Sequence, residues 1–66
     1  MDWKLYEGKK VKLILVDGGY YQGQITDIDE TKYPRLIWIT IKDKFGKNVT
    51  FVNTQILKIE EIINGN

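Results

Sequence analysis

The chain has 66 residues, with 10 Lys and Arg against 9 Asp and Glu, a net charge of +1 and 42% apolar residues. That length holds one domain with a modest core, which buries roughly 60% of the unfolded chain's surface, and the apolar content excludes a disordered chain. The charge balance excludes a polycationic coat for nucleic acid and leaves room for a local basic patch.

The sequence contains no Cys, no His and no Ser. A disulfide framework and a Cys-based metal site are therefore excluded. The usual general base and the two usual nucleophiles are missing. We expect no enzyme, no metal site and no cofactor. Asp27, Asp29 and Glu30 form the densest acidic group and read as a solvated strand end and loop. No run approaches the ~20 apolar residues of a membrane span. The opening "MDWKLYEGKK" lacks the apolar core of a signal peptide, so the cytoplasm is the expected compartment.

In chain order, "DWKLYEG" (2–8) suits one helical turn with Asp2 as its cap. Trp3 or Leu5 would then cover an open barrel end. "VKLILV" (11–16) is aliphatic and β-branched and stops at Asp17-Gly18-Gly19. "YYQGQITDI" (20–28) follows, and "RLIWITIK" (35–42) is the strongest strand signal in the chain, ended by "DKFG". "NVTFV" (48–52) is a further strand. "QILKIEEII" (55–63) fits a strand or a helix, because Ile56, Ile59 and Ile63 also match a helical spacing. Five strands are predicted near 10–17, 20–29, 35–43, 47–53 and 55–60. Together they predict one all-β domain over 1–66, its core within 8–60, folded as a small bent antiparallel barrel of the Sm-like or SH3-like kind.

Turn chemistry sets the registers. A three-residue hairpin loop has a type I turn followed by a left-handed residue, which favours Gly. With Asp17-Gly18-Gly19 as the loop, Leu15 pairs with Tyr21, Leu13 with Gly23 and Val11 with Ile25, and the large apolar groups share the inner face. With Lys44-Phe45-Gly46 as the loop, Ile41 pairs with Val49 and Ile39 with Phe51. Gly23 then lies inside a strand, where a sharp bend or a close backbone requires it. The outer face keeps Ile14, Val16, Tyr20, Trp38 and Val52, an apolar surplus that marks a contact surface.

"VKLILVDGGYYQGQITDID" resembles the first half of the Sm-like family, above all its bacterial RNA-chaperone (Hfq) branch. Val16-Asp17-Gly18 and Gln22-Gly23-Gln24-Ile25 match the family pattern without a gap, and Asp29 falls where the family has its Asp. "NVTFVNTQILKI" is similar to the second half, with a polar corner at Asn53-Thr54. The resemblance covers residues 8 to 60. It departs from the family where "DETKYPRL" lacks an Asn, where Phe51-Val52-Asn53 replaces Tyr-Lys-His, and where Ile14 stands for a ligand-facing Tyr.

The resemblance implies a homo-oligomeric ring in which residues 48–52 of one subunit pair with 55–60 of the next, which removes open sheet edges. It also implies single-stranded RNA as the partner, read by stacking aromatics and by amides. The residues left for that role are Lys32, Tyr33 and Arg35 in the loop, Asn53 at the corner, and Tyr20 with Gln22 near the first hairpin. Tyr33 would stack, Lys32 and Arg35 would meet phosphates and Asn53 would read a base edge. The other reading is an SH3-like barrel that binds protein, itself or another chain, without nucleic acid.

Overall fold

The computed structural model describes residues 2–63. It is all-β: five antiparallel strands form one sheet, preceded by a 3-10 turn. The strands are β1 (Lys10–Leu15), β2 (Tyr20–Lys32), β3 (Arg35–Lys42), β4 (Asn48–Val52) and β5 (Ile56–Glu61), in the spatial order β4-β3-β2-β1-β5. Of residues 55–63, which suited either a strand or a helix, Ile56–Glu61 form strand β5.

The N-terminal turn spans Trp3–Tyr6, and Asp2 caps it by accepting from Lys4 N–H at 3.2 Å. Trp3 and Tyr6 pack against the core. Leu5, the other expected cover, is 66% exposed and does not pack against the core.

The second hairpin has the register its turn chemistry predicts, with Ile41 opposite Val49 and Ile39 opposite Phe51. Gly46 N–H bonds Asp43 O at 3.0 Å, and Gly46 takes a φ of +83°. The first hairpin uses the same turn one residue earlier than expected. Its loop is Val16-Asp17-Gly18, closed by Gly18 N–H to Leu15 O at 3.0 Å, and the left-handed glycine is Gly18 at φ +96°. The pairs are therefore Leu13 with Tyr21 and Val11 with Gly23, two residues away from the expected ones. Of two adjacent glycines the chain puts the first in the left-handed position, and Asp17 Oδ1 then accepts from Gly19 N–H at 2.9 Å. A shift of two preserves the pleat, so the inner-face residues are unchanged.

The core consists of Val11, Leu13, Ile25, Ile28, Ile39, Ile41, Ile56 and Ile59, with Tyr21, Val49 and Phe51 packed against it. Two of its pairs, Ile25/Ile28 and Ile56/Ile59, are three residues apart, which a regular strand does not allow. Each spans a break in register, at Ile25/Asp27 between β2 and β3 and at Ile14/Leu15 between β1 and β5. An extra residue at a bulge returns the next side chain to the same face and bends the strand. The i, i+3 spacing of Ile56 and Ile59 is thus a bulge signature rather than a helical one.

Beyond its bulge β2 continues to Lys32, three residues past the predicted end, and pairs with β3 down to Lys32 opposite Arg35. The expected open loop is accordingly a two-residue connection, Tyr33-Pro34, at the tip of a long hairpin. That hairpin accounts for the elongated 41 × 24 × 23 Å shape. Gly23 lies where β2 begins to meet β3. A Cβ on it would stand 2.8 Å from the Lys42 carbonyl carbon and closer still to its oxygen. This close backbone approach is what requires glycine there.

Candidate nucleic-acid interface

The expected RNA-facing residues occupy three places. Lys32, Tyr33 and Arg35 stand together at the hairpin tip and line an open depression of about 360 Å³ with Glu30. Tyr33 is 97% exposed there. Arg35 Nε donates to Glu30 Oε2 at 2.9 Å, so one of the two tip cations already has an anionic partner.

Asn53 does not line the tip depression. It begins a second 3-10 turn, Asn53–Gln55, between β4 and β5, and its Oδ1 accepts from Ile37 N–H at 3.2 Å. Ile37 lies two residues inside the strand from Arg35, so Asn53 braces the foot of the hairpin rather than its tip. The same turn reaches the β1–β2 loop, where Val16 N–H bonds Gln55 O at 3.0 Å.

Tyr20 and Gln22 lie elsewhere, on a groove of about 650 Å³ between the start of β2 and the β3–β4 turn. The groove also takes in Lys10, Gln24, Lys42, Lys44 and Phe45, none of which the sequence singled out as a contact residue. A signal for them existed. In a meander of four strands the first and third turns leave the sheet at one end, which puts residues 44–46 on the side of 16–20.

Asp43 organises this end. Its Oδ1 accepts from Phe45 N–H and Lys47 N–H, both at 2.9 Å, and its Oδ2 accepts from the Tyr21 hydroxyl at 3.0 Å. The Lys47 N–H bond, helped by Tyr21 and Phe45, holds the Asp43 carboxyl below its usual range against the opposing effect of burial. Burial pushes the Tyr21 hydroxyl above its usual value, and the bond to Asp43 adds to the shift. The Tyr21 ring packs on Phe51 at 5.5 Å between centroids. Tyr21 is thus a structural group, while Tyr20, its neighbour on the opposite face, is 62% exposed with Lys12 Nζ 4.6 Å above its ring.

The acidic residues Asp27, Asp29 and Glu30 are exposed along the outer part of β2. Among the described residues no group of three acidic, His or Cys side chains is placed to hold a metal ion, and no helix is long and apolar enough to cross a membrane. Set against family models, curated proteins and solved structures, the chain matches none.

Proposed function

We propose that this protein is a self-assembling, Sm-like barrel that binds single-stranded RNA. The observation that carries the reading is Tyr33, 97% exposed at the tip of a long hairpin and flanked by Lys32 and Arg35. An aromatic ring held out in solvent beside cations suits a stacked base and its phosphates. The assembly half of the reading is supported by the two ends of the sheet. β4 and β5 are its outer strands and do not pair with each other. Asp43 N–H bonds Lys47 O, so in β4 odd-numbered residues face β3 and the backbone groups of Asn48 and Thr50 face outward. Ile62 N–H bonds Lys10 O, so in β5 the groups of Ile59 and Glu61 face outward. A neighbour's β5 can pair with β4 and close a ring with no free edge.

The experiment is a solution mass by light scattering followed by titration of uridine-rich and adenine-rich oligomers at two salt concentrations. The reading expects a mass several times that of the 7.7 kDa chain and binding that weakens with salt. A monomer overturns the ring; no binding at low salt overturns the RNA partner. A second reading, a protein-binding or self-assembly barrel without nucleic acid, draws on the Glu30–Arg35 ion pair, which offsets part of the positive charge at the tip. It predicts assembly with no oligomer bound.

A further inference from the structure

The groove between the start of β2 and the β3–β4 turn carries features that the hairpin tip lacks. It brings together two exposed rings, Tyr20 and Phe45, and three lysines, Lys10, Lys42 and Lys44. None of these lysines belongs to an ion pair among the described residues. Asp43, the one acid in the groove, has both carboxylate oxygens engaged by Tyr21, Phe45 N–H and Lys47 N–H. Each exposed ring has an ammonium against it: Lys12 at 4.6 Å from the Tyr20 centroid and Lys44 at 5.2 Å from that of Phe45. A volume of about 650 Å³ is in the range that encloses an organic ligand of several hundred daltons, which is room for a nucleotide rather than for a lone ion.

The backbone adds a second property. Leu15 N–H bonds Gly19 O and Ile25 N–H bonds Lys9 O, both at 2.9 Å, so the odd-numbered residues of β2 turn their peptide groups to β1. Even-numbered ones turn to the other side. There β3 takes up Gln24 opposite Lys42, and its pairing with β2 goes no further. Tyr20 and Gln22 therefore present backbone N–H and C=O groups to the groove with no strand to receive them. Donors and acceptors of this kind, next to flat rings and cations, are what unstacked bases and their phosphates require.

Resting on the RNA reading above, we propose that this groove, and not only the hairpin tip, holds single-stranded RNA, with bases stacked on Tyr20 and Phe45, base edges met by Gln22 and the free β2 edge, and phosphates met by Lys10, Lys42 and Lys44. The excess of cations selects a polyanion, and the paired rings select one that carries bases.

The test is fluorescence anisotropy with labelled adenine-rich and uridine-rich 12-mers (a length of about 12 lies within the ~4–16 nucleotides a small nucleic-acid-binding barrel covers). The proteins are wild type, Tyr20→Ala, Phe45→Ala, Lys44→Gln and, at the tip, Tyr33→Ala. Tyr20 and Phe45 are 62% and 84% exposed, so both variants keep the wild-type melting temperature, which a thermal melt verifies. Loss of either ring is expected to weaken binding by roughly 5- to 150-fold, and Lys44→Gln to lower the salt slope by about 0.7. Wild-type binding with both ring variants unchanged overturns the groove and leaves RNA binding standing at the tip. No wild-type binding even at low salt overturns the RNA reading and the groove with it. Competition by polyglutamate as effective as by RNA of equal charge overturns the assignment of bases and makes the groove a site for acidic peptides.

Discussion

The Tyr21 hydroxyl donates to Asp43 Oδ2 at 3.0 Å, and this bond ties the first strand pair to the second hairpin turn. The two residues are 22 positions apart. Asp43 already holds its own turn through Phe45 N–H and Lys47 N–H, so one carboxylate fixes both the local bend and its docking on the neighbouring hairpin.

That arrangement predicts a pH dependence at both ends of the scale. The Asp43 carboxyl is lowered in the folded protein, so its contribution is present above the unfolded carboxylate value of ~3.9 and is lost as pH falls through the folded value. The Tyr21 hydroxyl is raised, so its contribution is present below the unfolded tyrosine value of ~10 and is lost as pH rises through the folded one. Asp43→Asn should flatten the acid limb of a urea-denaturation stability profile, and Tyr21→Phe the alkaline limb. Profiles unchanged in shape would show that the bond does not form in solution.

Gly23→Ala should destabilise the fold. An alanine inside a strand is ordinarily favoured over glycine by roughly 0.5–1 kcal/mol, but here the added carbon meets the Lys42 carbonyl, which is backbone and cannot rotate away. Overpacking of this kind costs about 1–3 kcal/mol. Chemical denaturation of the variant gives the sign directly, and a gain in stability would contradict the close approach of β2 and β3.

Gly18→Ala and Gly19→Ala should separate the two adjacent glycines. Gly18 has φ +96°, whereas Gly19 lies outside the left-handed region. A Cβ on Gly18 would meet nothing within 4 Å, so its penalty is purely conformational, about 1–2 kcal/mol. A Cβ on Gly19 would lie 3.2 Å from Asp17 Oδ1, a side-chain atom able to yield. The larger loss of melting temperature is expected for Gly18→Ala. The reverse order would restore the Asp17-Gly18-Gly19 loop and with it the other register.

Leu13→Ala tests the core. Leu13 is fully buried at the centre of β1, between Tyr21 and Ile59 on the flanking strands. Truncation of such a leucine costs about 2–5 kcal/mol, a large part of what a domain of this size possesses. Phe45→Ala, at 84% exposure, should leave the midpoint of denaturation within experimental error.

Thr50→Pro tests the assembly. Thr50 N–H points to the outer edge of β4, so proline there removes a donor that β3 does not use. Its ring also blocks an incoming strand. Light scattering should report a monomer for the variant, with a circular dichroism spectrum like that of wild type. An assembly that survives the substitution would place the contact away from this edge.

The sequence by itself determined the five strands, the three-residue turn at 44–46 and the inner face, because each rests on local chemistry: alternation of apolar residues and, at the turn, a glycine that tolerates a positive φ. It fixed the second register, where Gly46 has no glycine neighbour to compete with it. It misplaced the first by two residues, taking Gly19 rather than Gly18 as the left-handed glycine, because both suit the turn and both choices bury the same side chains. What only the tertiary structure decided depends on how β2 bends. The bulge after Ile25 returns Ile28 to the core, carries β2 on to Lys32 and turns the loop around Tyr33 into a hairpin tip. It spends Asn53 on bracing Ile37 rather than on the tip. The pairing of β2 with β3 ends at Gln24, where β3 gives way to its turn after Lys42, and this opens the groove in which Tyr20, Phe45 and three lysines from separate strands and turns meet. The meander order puts the two turns at one end of the sheet, but how closely their side chains meet is set by the curvature of the whole sheet.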